Sequence, residues 1–471
     1  MSSREGKSFD RSIVEGPVTP AVWMLAWPTM LQNVIGGLQG LVDHAMVGHY
    51  VGYTGNAAIG VSWQIFLVVI VFISSVFSGM GVLVARFSGR NDAEMVNRTV
   101  QQSFMVAVGL AIGVMAPLGY VLAPALLDLI NAAPEVQAEA LPYLRTMFVF
   151  SVGNLLFFMA SGAFRSAGDA RTPLYLGVAF TLLNIVLNVI FIRGLGPIPG
   201  FGTLGAAMGT VIAAGLVAAY VLYLLFRRTE VVAFPRNARW VPDWEIVREL
   251  FRFGLPTGLQ GVAMNMGGVL LLRFVGSLPN SAEAQAAYAI AYTQLFSFIT
   301  WTSNGLMGAA ATVAGQNLGA DQPDRSVKGV HVAAYMGLGV AVSIGALFFF
   351  LPDLLLGLFG VDDRVTVELA GELLTYLSVS GLFITVALAY TGALQGTGDT
   401  KSPLYISILS QIVVPLGICF AFQTFGTLES HVIWTAILLG HVTRALLSVV
   451  RFRQGKWRHI EVKVGNGASP A

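Results

Sequence analysis

Charge is what this chain has least of. Asp, Glu, Lys and Arg make up 11% of its 471 residues and apolar side chains 55%, whereas a water-soluble domain carries roughly 25% charged residues. A soluble globule is excluded. Cysteine is almost missing as well: Cys419 stands alone, so no intrachain disulfide can form and no thiolate cage can hold a metal. The six His show no H-E-x-x-H or similar spacing, no Walker A motif occurs, and no dinucleotide fingerprint sits between a strand and a helix. These absences argue against a metal centre, a bound cofactor and ATP hydrolysis by this chain. No catalytic constellation accompanies the apolar runs, so an enzyme is not expected.

Apolar length is abundant instead. Twelve runs, at about 19–48, 56–84, 99–126, 138–165, 172–194, 203–227, 246–276, 284–315, 327–351, 366–395, 402–424 and 429–451, each reach the roughly 20 residues that a spanning helix needs. They lack the strict alternation of barrel strands, and lipid offers backbone groups no partner outside their own helix. The predicted fold is an all-α polytopic membrane protein. The first 18 residues are polar and lead into a run too long for a signal h-region, so the first helix is expected to be retained. With the N-terminus cytoplasmic, 23 of the 27 basic residues fall on the inner side, leaving Arg145, Arg193, Arg273 and Arg364 outside. That bias predicts cytoplasmic termini in a plasma membrane. It also accounts for a pI near 8.6 without invoking nucleic acid. Arg451, Arg453, Lys456 and Arg458 form a basic tail suited to lipid headgroups.

The sequence also repeats itself. Gly168 to Pro173 reads G-D-x-[RK]-[ST]-P, and so does Gly398 to Pro403, 230 residues later. Pro28-Thr29 pairs with Pro256-Thr257, and FGTL at 201–204 returns at 425–428. Internal repeats constrain the whole architecture. Six helices separate the copies, and an even number of crossings returns the chain to the same side, so the halves are parallel repeats. We expect two parallel six-helix lobes, 1–228 and 246–471, the second carrying the basic tail, joined by a cytoplasmic linker at 229–245. Trp240, Trp244, Arg236 and Arg239 suit a linker lying along the interface. Asp169 and Asp399 read as turn chemistry beside Arg171 and Lys401. Two bundles able to rock about a central cleft have the geometry of a transporter.

Asp43 is the only acid placed within a span rather than at a helix end. Burying an Asp at a helix centre costs ~2.5–3.5 kcal/mol on insertion scales, so it marks a functional site or else lies near the outer interface. A desolvated carboxyl can bind and release a proton through a transport cycle. Gln39 lies one turn earlier on the same face, and Pro28 removes a backbone hydrogen bond, which makes it a candidate hinge. Asn184 and Asn188 share a face of the fifth helix, either as interhelical glue or as site lining; Thr210 on the sixth is a further polar candidate. Together with Asp43 they could make one cation-coupling site. Registering Pro28 with Pro256 puts Leu271 opposite Asp43, so that site is confined to the first half. Met264, Met266, Tyr288 and Tyr292 could give a soft aromatic wall for apolar cations, or simply pack.

The Pro28 helix with LVDHAMVGH, the paired G-D-x-[RK]-[ST]-P loops and NIVLN at 184–188 resemble the multidrug and toxic compound extrusion (MATE) family, its DinF branch in particular. The resemblance implies export of organic, often cationic, small molecules by antiport with protons or sodium, from within the bilayer and with no obligate protein partner. It maps the coupling site onto Asp43, Asn184, Asn188 and Thr210. Where NorM-like members carry acids on helices 7 and 10, this chain has Met264 and Ile384, and one carboxylate with two amides favours protons over sodium. A lipid-linked oligosaccharide flippase of the wider superfamily is the alternative, but the basic cleft expected of one is not visible.

Overall fold

The computed structural model describes residues 8–235, 237–360 and 363–464, so Arg236 of the linker lies outside the described residues. Twelve helical spans follow one another: α1 (Val18–Tyr50), α2 (Tyr53–Gly89), α3 (Ala93–Leu129), α4 (Pro134–Val149 with Val152–Ser166), α5 (Arg171–Arg193), α6 (Gly202–Arg227), α7 (Trp244–Val275), α8 (Ser281–Tyr288 continued by Ala289–Leu295 and Ser297–Gly319), α9 (Pro323–Phe350), α10 (Arg364–Gly396), α11 (Lys401–Phe425) and α12 (Ser430–Arg453). Among the described residues, nine are long and apolar enough to cross a membrane and the α4 pair makes a tenth; α1 and α8 complete the set. The chain is an all-α polytopic membrane protein.

Local chemistry explains where helices begin and end. Gly168 and Gly398 take φ of +101° and +96°, a region in which side-chain-bearing residues are strained, and each lets a helix stop. The following carboxylates organise the turns. Asp169 Oδ1 accepts from the Arg171 and Thr172 amides and Oδ2 from the Thr172 hydroxyl, while Asp399 Oδ1 accepts from the Ser402 amide and hydroxyl. Pro173 and Pro403 then lie in the first turn of α5 and α11, where a missing N–H costs nothing. The cation on Asp399 differs from expectation: it is Arg451, at 2.8 Å, rather than Lys401. Arg458 pairs with Asp324, so two of the four tail cations are engaged within the protein.

Two departures from smooth helices are not written in the hydropathy. The halves of α4 meet at 53° around Phe150–Ser151, and α3, α5, α8 and α11 each contain a π-helical turn.

The chain forms two compact units. The first comprises Leu31–Gly258 with residues 8–10 and 462–464, and the second Arg11–Met30 with Leu259–Glu461. Each handover lies within a helix, two residues beyond Pro28 in α1 and two beyond Pro256 in α7. Glycines set close helix contacts inside each unit. In the first, a Cβ on Gly79 would meet the Leu250 carbonyl oxygen at 2.1 Å, and one on Gly254 the Ser75 carbonyl oxygen at 2.6 Å. In the second, Gly392 and Gly396 of α10 lie against the Met307 and Ala311 carbonyls of α8, each leaving 2.1 Å for a Cβ. This is the small-residue packing by which membrane helices approach without a hydrophobic driving force.

Candidate functional site

The site begins with a close approach of α5 and α6 in the first unit. Gly205 and Gly209 lie on one face of α6, where an added Cβ would meet the Phe191 carbonyl oxygen at 2.2 Å and Asn188 Oδ1 at 2.1 Å. That approach buries the polar residues of both helices: Asn184 and Asn188 are fully buried, and Thr210 is 8% exposed. Buried polar groups need partners, and these find them in one another. Thr210 Oγ1 donates to the Ala206 carbonyl and accepts from Asn184 Nδ2 at 3.0 Å; Asn184 Oδ1 accepts from Asn188 Nδ2 at 3.2 Å.

The chain of bonds ends on Asp43. Asn188 Nδ2 also donates to Asp43 Oδ1, at 2.8 Å, so all four residues implicated by the sequence form one hydrogen-bonded line across α6, α5 and α1. Gln39, one turn before Asp43, is buried and accepts from the Thr181 hydroxyl of α5 at 2.8 Å. It therefore fixes α1 on α5. Asn188 Oδ1 is left with no hydrogen-bond partner, a buried oxygen beside the carboxylate. The nearby histidines are occupied elsewhere, His44 on Asn56 and His49 edge-on to Tyr50. Among the described residues no group of three or more His, Cys, Asp or Glu could hold a metal.

The remaining candidates belong to the second unit. Pro28 lies inside α1, where the Thr29 hydroxyl donates to the Leu25 carbonyl. On α7, Met264 is half-buried and Met266 is exposed. Tyr288 and Tyr292 of α8 stack at 4.9 Å, and Tyr292 stacks in turn on Phe296.

The family model MatE matches the sequence twice, over residues 28–190 and 256–421. The chain belongs to the MatE family. Each matched stretch starts on one of the two helix prolines, which ties the internal repeat to the family's own unit. The "Probable multidrug resistance protein NorM" of Thermotoga maritima is 27% identical over 440 residues, covering 92% of each chain. The "Multidrug resistance protein MdtK" of Pectobacterium atrosepticum is 25% identical over 443 residues, covering 91% of this chain and 94% of the relative. Among solved structures, a MOP superfamily transporter from Pyrococcus furiosus, described as having a binding pocket of reverse polarity, aligns with a TM-score of 0.87 at 22% identity over 95% of this chain and 98% of its own. An outward-facing multidrug resistance MATE transporter aligns at 0.87 and 21% identity, with 95% and 98% covered. At those identities the likeness carries the fold alone. This MatE-family chain is a membrane transporter.

One buried charge of this MatE-family chain escapes sequence reading. Arg444 counts with the inner-side cations when charges are assigned to loops, yet it is 2% exposed within α12. Trp434, His441, Arg444 and Ser448 fall at helical spacing on a single buried face of α12. That periodicity was the available signal.

Proposed function

We propose that this chain is a secondary antiporter that exports amphipathic, cationic small molecules in exchange for protons entering by alternating access. The observation that carries the reading is the direction of the hydrogen bonds at Asp43. Asn188 turns its N–H group to both the carboxylate and Asn184 Oδ1, which fixes the orientation of the amide, and an N–H donor stands where a sodium ion would need oxygen. A single carboxylate backed by an amide donor suits a proton. When Asp43 is ionised, its bond from Asn188 is charge-assisted and strong, and the site attracts a cation; protonation removes the charge, weakens that bond and releases both the cation and the grip of α5 on α1.

The names of the relatives, multidrug resistance proteins from several bacteria, support organic substrates. One observation favours a second reading. Asn188 Oδ1 has no partner, and with Asp43 it offers two oxygens to sodium. The basic residues of the connections support a plasma-membrane protein with cytoplasmic termini. The reading needs neither cofactor nor protein partner.

Transport in proteoliposomes under separately imposed pH and sodium gradients tests it. Native protein is expected to move a cationic dye under the pH gradient alone, and Asp43→Asn to lose at least about tenfold in rate, a change of ~1.4 kcal/mol in the barrier. Undiminished proton-driven export by Asp43→Asn sinks the assignment, and export under the sodium gradient alone transfers it to the second reading.

A further inference from the structure

One buried polar cluster in each unit differs in how its groups are satisfied. In the first, Asp43, Asn188, Asn184 and Thr210 are bonded to one another. In the second, the buried face of α12 presents polar atoms with no hydrogen-bond partner among the described residues: Trp434 Nε1, His441 Nδ1, Arg444 Nε and Nη1, and Ser448 Oγ. All four residues are at most 2% exposed. Arg444 lies 14 residues after the start of α12, about 21 Å along the axis at 1.5 Å per residue, so it sits well inside the span.

No ion pair involves Arg444 among the described residues, and the acids near α12 are taken. At its cytoplasmic end Asp399 pairs with Arg451, and near its other end Glu372 accepts from Ser430. The groups packed on this face of α12 are aromatic or hydroxylic. His441, one turn earlier, stacks on Phe296 at 5.6 Å, and Tyr292, within electrostatic reach of Arg444, stacks on Phe296 as well. The Ser410–Gln411 segment of α11 lies against α12 at Gly440, where an added Cβ would meet the Ser410 carbonyl oxygen at 2.6 Å and Gln411 Nε2 at 3.6 Å. Ser410 Oγ is buried and unpartnered too. A fixed cation with unmet N–H donors, flanked by hydroxyls and an imidazole that can each donate and lacking a carboxylate, is an environment rich in donors. It is complementary to a small anion.

We propose that the second unit holds a monovalent anion on Arg444, with Ser448 and His441 as flanking partners. The group bound is a chloride ion or the carboxylate of a substrate that also carries a positive charge. Registering the two FGTL segments puts Val217, Tyr220 and Leu224 at the places of His441, Arg444 and Ser448, so the first half has no such site. The inference concerns binding and does not rest on Asp43 being the coupling group.

The test measures thermal unfolding of the purified full-length protein in detergent at constant ionic strength, with gluconate replaced either by chloride or by benzoate as a carboxylate probe. An anion bound only by the folded protein raises Tm, by on the order of 3 °C at saturating concentration. Arg444→Gln is expected to lose that rise and Arg444→Lys to keep part of it. A response to chloride alone supports the free ion, and a response to benzoate alone supports the substrate carboxylate. Chloride-35 NMR line broadening of the native protein, reversed by unlabelled bromide, checks the halide arm if Arg444→Gln does not fold. Indifference of the native protein to both anions, with no line broadening, overturns the proposal, as does an equal response from Arg444→Gln.

Discussion

An asparagine amide has a donating and an accepting side, and Asn188 uses only the first. Its N–H group serves Asp43 and Asn184 while its oxygen has no partner. The carboxylate is thus bonded by an amide whose oxygen Gly209 barely clears, at 2.1 Å from a would-be Cβ. Gly209→Ala is expected to displace the Asn188 amide without altering any charge. Its transport rate should fall as far as that of Asn188→Ala, with Tm changed by only a few degrees; native rates in Gly209→Ala would show that the amide does not hold Asp43. That Asp43, Asn184, Asn188 and Thr210 come together was legible because a polar side chain in an apolar helix stands out, and because the 184/188 spacing fixes a shared face. Arg444 was not. It is followed by Arg451 and Arg453, and a one-dimensional count assigns all three to water, whereas burial depends on which face α10 and α11 cover.

At the scale of helices, close approach decides stability. Gly392 and Gly396 let α10 lie directly on the backbone of α8, where no side chain can move aside to make room. Gly392→Ala is expected to force the helices apart and cost ~1–3 kcal/mol, the usual penalty of overpacking. It should appear as a lower Tm with unchanged helical circular dichroism, and an unchanged Tm contradicts the packing described. Helix number and order were readable from apolar length. The 53° break in α4 was not, since neither Pro nor Gly stands at Phe150–Ser151. The π turns are equally silent in composition, because an extra residue in a turn is accommodated by neighbouring helices rather than signalled by the residue itself.

For the whole molecule, the sequence announced the duplication more clearly than anything else, and the family match over 28–190 and 256–421 follows the same two copies. Sidedness is open to a direct check, because the one native cysteine, Cys419, is buried. Lys456→Cys and Asn280→Cys, both exposed positions, place single reporters on opposite sides of the predicted topology. A membrane-impermeant maleimide applied to intact cells should label Asn280→Cys, and Lys456→Cys only after permeabilisation. The reverse pattern inverts the assignment.

The copies have since diverged in the sign of what they bury. Asp43 registers with Leu271, and Arg444 with Tyr220, so neither half contains the other's charge. A carrier assembled from two first halves would possess two copies of Asp43 and none of Arg444, and one from two second halves the converse. Copying either half would therefore restore the symmetry only by giving up one of the two charges.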